Sequence, residues 1–382
     1  MFEWWEVLRS ILGKGLAEIV ALTAIALAGL IANFFRKYIY GWYDYSRRLK
    51  RALASVSRVE AASGLREGDG LWLTKPIEDA KSDAFIAALH ASKVLIVANA
   101  KGGVGKTTTA ANVAARLAEL LPKSVLLIDL DFQGTLSAMA AGPEGNWVPA
   151  AGTDSLATHL ISGDLKPADI INMSKPVASA NNLKIITSFY DLAQAENRVM
   201  VEWLLGDRKE DIRFRLAKLL HSTLIRQNFS LVVIDCPPRL TTASIQALAA
   251  GTHLLIPTVM DLPSGEAVIT FARQVQNFKG AGVCPHIKMI GVVGSLQPPV
   301  GDIAPAMMRI NDRLNDVRDS ETGQKVVDIL DPKTFFPTST YFRNAVSNGG
   351  IAYVAMGNER GEREVKEKII ALADHVKREM NL

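Results

Sequence analysis

Residues 99–109, Asn-Ala-Lys-Gly-Gly-Val-Gly-Lys-Thr-Thr-Thr, limit the possible folds of this chain more than any other stretch. They follow an apolar run at 94–98 and precede a helix-like segment at 107–121. A glycine-rich turn between a strand and a helix aims several backbone N–H groups at one point. The helix N-terminus adds its own unpaired donors and the positive end of its dipole. Such a turn is a phosphate cradle, formed here by Gly102, Gly103, Val104, Gly105 and Thr108. Lys106 supplies a point charge for the outer phosphates, and the Thr107 hydroxyl is placed to ligate the magnesium ion that accompanies them. The ordinary form of this loop begins with glycine where this chain has Ala100, and here a second lysine, Lys101, stands just ahead of the glycines.

The rest of the chain supplies a fold for that loop. Short apolar runs at 93–98, 124–130, 183–188, 230–235, 253–257 and 287–293 read as strands. Most are continuous rather than alternating, as in strands buried on both faces. Helical spacing appears at 77–91, 107–121, 191–205, 208–227, 241–250, 264–278, 303–315 and 361–380, the last with Val365, Ile369, Leu372 and Val376 on one face. Alternating strands and helices predict an α/β domain over 92–382, with a mostly parallel sheet covered by helices on both faces. Ligands in such sheets bind at the carboxyl ends of strands, where the 99–106 loop sits. With 382 residues, 48% of them hydrophobic, the chain can bury a large core.

Two acidic stretches join the loop. Val125-Leu126-Leu127-Ile128-Asp129-Leu130-Asp131 places two carboxylates at the end of the second strand, and Leu231-Val232-Val233-Ile234-Asp235 places a third at the end of another. An acidic residue there can hold magnesium opposite Thr107, usually through water. Cys236 and Cys284 have no metal-ligand spacing, and Cys236 reads as a buried thiol.

The N-terminus is unlike that of a soluble enzyme. Residues 16–35 are apolar apart from Glu18 and a few small polar groups, and about 20 such residues cross a bilayer as a helix. Arg36, Lys37, Arg47, Arg48, Lys50 and Arg51 follow with only Asp44 opposing, which puts the C-terminal side in the cytoplasm. Tyr38, Tyr40, Trp42, Tyr43 and Tyr45 on one side, and Trp4 and Trp5 on the other, suit the headgroup level. Residues 1–45 are therefore expected to form a single-pass inner-membrane anchor, and 46–91 a helical connector carrying Leu49, Leu53, Val56 and Val59. A cleaved signal peptide fits less well, because no small-residue cleavage site is evident. A buried, alanine-rich core helix is the other reading.

The three motifs together, Lys101-Gly102-Gly103-Val104-Gly105-Lys106-Thr107-Thr108-Thr109, Asp129-Leu130-Asp131-Phe132-Gln133-Gly134 and Ile234-Asp235-Cys236-Pro237-Pro238, resemble the ParA/MinD family of deviant Walker-type P-loop ATPases. The resemblance covers roughly 93–290. It implies Mg-ATP as the ligand and an ATP-dependent homodimer with an unidentified protein partner. Lys106 would bind the β- and γ-phosphates in its own subunit, and Lys101 would reach the partner subunit's nucleotide. Asp131 would orient the attacking water, Thr107 and Asp235 would hold the metal, and Asp129 would assist near it. Phe132 departs from the proline frequent after the second aspartate. Gly294-Ser295-Leu296-Gln297 lacks the base-reading residue often found there, so no adenine contact is assigned.

Family members often bind DNA as dimers, and Arg208, Lys209, Arg213, Arg215 and Lys218 are the basic residues placed to do so here. Glu210 and Asp211 interrupt them, and a solvated face is the favoured reading. The overall charge of +4 is weak support for an anionic partner. The leading expectation is a membrane-anchored ATPase acting as a nucleotide switch on a partner, with a DNA-partition ATPase as the alternative. Bacterial tyrosine kinases share the loop but usually carry a C-terminal tyrosine cluster, and 354–382 holds none.

Overall fold

A computed structural model of the chain describes residues 2–62, 70–73, 92–142, 145–163, 165–177, 179–205, 210–296, 303–319, 322–347 and 350–382. The chain divides into two units, Met1–Ser57 with Leu204–Gly206, and Arg58–Trp203 with Asp207–Leu382. The expected helix at 77–91 lies outside the described residues.

The first unit is built on α1 (Phe2–Ala62), whose one non-helical residue is Gly13 (φ 72°, ψ 151°). Within Leu22–Lys50 it holds an 18-residue window of mean hydropathy 1.3, long and apolar enough to cross a membrane by length and composition alone. None of the apolar window is buried, and Ile25, Leu30 and Phe34 are each about two-thirds exposed or more (70%, 68% and 67%). The connector expected to begin at 46 is a continuation of α1, with Leu49 and Leu53 exposed; the side chains of Val56 and Val59 lie outside the described residues.

The second unit is a sheet with helices. Among the described residues it has seven strands in the order β3-β4-β2-β5-β1-β6-β7. These are β1 (Val94–Val97), β2 (Ser124–Asp129), β3 (Lys175–Pro176), β4 (Leu183–Ile186), β5 (Phe229–Asp235), β6 (His253–Val259) and β7 (Lys288–Ser295). All neighbours pair in parallel except β3, which is antiparallel to β4. Every residue of β1 is buried, as is nearly all of β5. Successive side chains point to opposite faces, so both faces are covered there. The six expected strands are all present. The seventh, β3, is an exposed two-residue edge containing proline, too short to give a pattern.

The long helices follow the sequence reading: α2 (Lys106–Leu120), α6 (Asp191–Leu205), α9 (Thr242–Ala250), α10 (Leu262–Gly280), α11 (Ala304–Leu314) and α14 (Arg360–Met380). The helix expected over 208–227 is instead a 3-10 turn at Ile212–Phe214, then α7 (Arg215–Leu220) and α8 (Thr223–Asn228). The break is chemical. His221 Nε2 pairs with the Ala250 carbonyl at 2.9 Å, and the Ser222 hydroxyl accepts from Ile225 N to start a new helix. Five short helices carry too few turns for a visible period: α3 (Thr135–Ala141), α4 (Leu156–Ser162), α5 (Pro167–Met173), α12 (Thr340–Ser347) and α13 (Ala352–Ala355).

Candidate nucleotide-binding site

The chain leaves β1, flanked by β5 and β6, into residues 98–105 and then enters α2. Gly103 (φ 72°) and Gly105 (φ 79°) adopt left-handed backbone, and a Cβ on Gly105 would sit 3.0 Å from the Ser295 Cβ. A side chain at 105 would meet both backbone strain and a clash. The loop is braced from three sides. Asn99, buried at its start, donates from Nδ2 to the Pro257 carbonyl (2.8 Å) and accepts from Lys101 N (3.1 Å). Ser295, at the end of β7, donates to the Val104 carbonyl (2.8 Å). Lys106 folds back across the loop, its Nζ donating to the Lys101 carbonyl at 2.9 Å. Gly102, Thr107 and Thr108 lie along the same turn and the first turn of α2, where unpaired N–H groups collect.

Lys101 occupies a different place from Lys106. Its Nζ donates to Ser264 Oγ (2.6 Å) and lies 3.8 Å from Asp261, the N-cap residue of α10. Within one subunit, therefore, its charge rests at the start of α10 rather than in the loop.

The carboxylates stand on the adjacent strands. Asp129 and Asp235 are register partners at the ends of β2 and β5, and both are buried. Asp129 is committed to three hydrogen bonds: from Ser137 N (2.9 Å), from Ser137 Oγ (2.7 Å) and from Asp131 N (3.1 Å). It ties the start of α3 to the β2 end. Burial nonetheless pushes its carboxyl up to about 6, with those bonds opposing and the Asp131 charge adding to the rise.

Neither oxygen of Asp235 meets hydrogen-bond geometry with any described group. Burial first and the Asp129 charge second hold its pKa well above the usual carboxylate range, and the nearby Thr107 hydroxyl and Lys106 ammonium work against that rise. A buried, unpaired carboxylate beside a threonine hydroxyl and a lysine fits a magnesium ion, which takes oxygen donors. Burial also lowers the Lys106 pKa, with Asp235, Asp131 and Cys236 opposing. Cys236 is a buried thiol whose pKa burial pushes up, in keeping with an inert core residue.

Asp131 is only partly buried, and its Oδ1 accepts from Gln133 N at 3.0 Å. Phe132 begins an aromatic chain through Tyr190 (6.2 Å), Phe189 (5.1 Å) and Trp147 (5.5 Å). The structure thus brings Lys106, Thr107, Asp235, Asp129 and Asp131 to one edge of the sheet. Asn99, Ser137, Ser264 and Ser295 were not singled out from the sequence. Asn99 opens the loop and is legible beside the glycines; Ser137 bonds Asp129 from eight residues away, and Ser264 and Ser295 reach the loop from distant segments with no local signal.

The basic residues considered for DNA are not a free stripe. Arg213 is 1% exposed and paired with Asp211, and Arg215 is buried and paired with Glu210; Lys218 is exposed, and Arg208 and Lys209 lie outside the described residues.

Residues 92–289 match the AAA domain family (AAA_31), slightly more than half of the chain. The chain belongs to this family, as a P-loop ATPase of the ParA/MinD type. It is similar to the chromosome partitioning protein ParA of Myxococcus xanthus, 27% identical over 279 residues, which cover 71% of this chain and 89% of that one. Its fold is similar to that of McdA from Cyanothece (TM-score 0.56, 22% identity, 75% of this chain and 99% of that one). It is also similar to cobyrinic acid a,c-diamide synthase from Mycobacterium smegmatis with bound ADP and magnesium (TM-score 0.53, 24% identity, 75% and 96%). The chain is an ATP hydrolase by its family.

Proposed function

We propose that this ATPase is a membrane-anchored nucleotide switch. It dimerises on ATP with its catalytic domain in the cytoplasm, and it organises or regulates a protein partner at the inner membrane. The observation that carries the reading is the unpaired Asp235 carboxylate opposite Thr107 and Lys106, in a chain whose N-terminal helix is apolar and exposed. In this reading Gly102–Gly105 and Thr108 cradle the phosphates with backbone N–H groups, and Lys106 binds the outer two. Thr107 and Asp235 hold the magnesium, which neutralises charge on the β- and γ-phosphates. Asp131, at the open side of the site, orients the attacking water. Asp129, saturated by Ser137 and Asp131 N, acts by fixing the Asp131 loop. Lys101 leaves Ser264 and Asp261 to reach the partner subunit's nucleotide, adding positive charge where it develops in the transition state.

The test uses the full chain in detergent. Lys106→Ala is expected to lose ATP binding, and Asp131→Ala to retain binding while hydrolysing at least roughly tenfold more slowly. Wild-type turnover in the second variant would remove the water-orienting role. For the anchor, the chain should stay with membranes through alkaline carbonate extraction, and release into the supernatant would refute a spanning helix.

The second reading, a DNA-partition ATPase, is favoured by the similarity to the chromosome partitioning protein ParA of Myxococcus xanthus. It requires DNA binding that appears only with ATP and falls steeply with salt.

A further inference from the structure

We infer that Trp72 is a positioning residue for ATP hydrolysis, clasping the turn at Gly70–Leu73 against α6, the helix that holds the loop behind Asp235. The inference rests on the ATPase reading above.

Trp72 is 6% exposed, although it belongs to a short turn at Gly70–Leu73 and to no strand or helix of the sheet. Its indole stacks on Trp203 of α6, with centroids 6.1 Å apart and planes 8° from parallel. Its carbonyl accepts from Arg213 Nη1 at 2.7 Å. Arg213 is itself fixed. Its Nε and Nη2 donate to the two Asp211 oxygens at 2.9 and 2.6 Å, and its guanidinium lies 5.4 Å from the Trp203 centroid and 5.8 Å from that of Phe214. A buried charge pair is costly unless its remaining donors are used, and here one of them is spent on the backbone of the connecting chain. The turn at Gly70–Leu73 is thus gripped by a ring stack and a charge-assisted hydrogen bond.

α6 carries that grip toward the reaction. Glu196, Met200 and Trp203 lie on one helical face, four and three residues apart. Glu196 is 6% exposed, and its carboxylate accepts from Ala243 N at 2.8 Å while its backbone carbonyl accepts from Thr242 Oγ1 at 3.2 Å. Those residues begin α9, and the segment 236–241 that leads into α9 starts at Asp235. Glu196 also senses Asp131, whose charge adds to the burial that holds its pKa up. Between these elements lies a cavity of about 560 Å3, walled by Leu71, Trp72, Met200, Glu196, Asp131 and Pro238 among others. No residue of the 99–106 loop lines it.

Losing the Trp72 ring would open one wall of the space that Asp131 borders and would release α6 from the turn at Gly70–Leu73. It leaves the phosphate loop and its braces untouched. The expected signature is therefore a fall in kcat with nucleotide affinity preserved.

The experiment measures steady-state ATP hydrolysis, and the Kd of a fluorescent ATP analogue, on the full chain in detergent. Trp72→Ala should lower kcat by about fivefold or more with Kd within about twofold of wild type, and Trp72→Phe, which keeps a stacking ring, should restore it. If Trp72→Ala fails to fold, Trp72→Leu keeps an apolar plug without the ring and is read in the same way. A kcat within about twofold of wild type overturns the proposal, as does a joint loss of kcat and affinity, which marks a merely structural role. Should the wild type itself not hydrolyse ATP, or Lys106→Ala hydrolyse it normally, the ATPase reading is what fails.

Discussion

Asp129 and Asp235 are register partners on adjacent strands and equally buried, yet they are in opposite situations. One accepts three hydrogen bonds, while neither oxygen of the other meets hydrogen-bond geometry with a described group, although the Thr107 hydroxyl lies near it. A buried carboxylate with its partners in place stabilises the local structure, whereas one without them is held for a ligand at a cost to the protein. In the proposed function the roles diverge accordingly, with Asp129 as a strut and Asp235 as a donor for the metal. Ser137 supplies two of the three bonds to the strut, and its hydroxyl also accepts from Ser188 N at 2.8 Å. Ser137→Ala removes the hydroxyl but leaves the backbone bond. It should destabilise the protein by about 1–3 kcal/mol, because a buried carboxylate loses a charge-assisted partner. Urea unfolding curves measure this; an unchanged midpoint would show that Asp129 does not depend on that hydroxyl.

At the scale of elements, α14 and α1 are the instructive pair. Both are long and carry an apolar surface. Val365, Ile369, Leu372 and Val376 of α14 are all buried, and the helix packs on α2 and beside the turn at Pro332–Thr334. No apolar face remains on it for a membrane. The apolar window of α1 is exposed along its length. Ile369→Ala should therefore cost about 2–5 kcal/mol in folding stability, as expected for a truncation in a packed core, and should leave membrane retention unchanged. Loss of membrane association in that variant, with the fold intact, would move the membrane contact to the C-terminus.

The same scale explains what could be read in advance. Buried parallel strands are continuous apolar runs, and long helices repeat a period, so β1, β2, β4 to β7, α6 and α14 were legible. The positions of the Lys106 loop and the three aspartates were legible because each lies at or just beyond the end of a strand. The bracing serines were not, since Ser264 and Ser295 reach the loop only through the parallel crossovers to β6 and β7. The break at His221 and the burial of Arg213 were hidden for the same reason: each depends on a partner brought near by the fold.

For the whole molecule, the position of Lys101 relates one subunit to two. Its ammonium rests on Ser264 and near Asp261, with both the lysine and the aspartate more than a third exposed. Ion pairs of that exposure contribute about 0–1 kcal/mol, so the lysine is held in place but easily withdrawn. A bound nucleotide in a facing subunit offers several phosphate oxygens in a less solvated place, a stronger site for the same charge. An anchor would add to this by confining subunits to one surface and raising their effective concentration. Lys101→Ala should therefore bind ATP as the wild type does but fail to dimerise with it. Asp261→Asn, which weakens the resting place alone, should dimerise at an ATP concentration no higher than the wild type needs. Sedimentation velocity in detergent, with and without Mg-ATP, reads both outcomes. ATP-dependent dimers of Lys101→Ala would show that this lysine serves its own subunit, from the place at the start of α10 where it already lies.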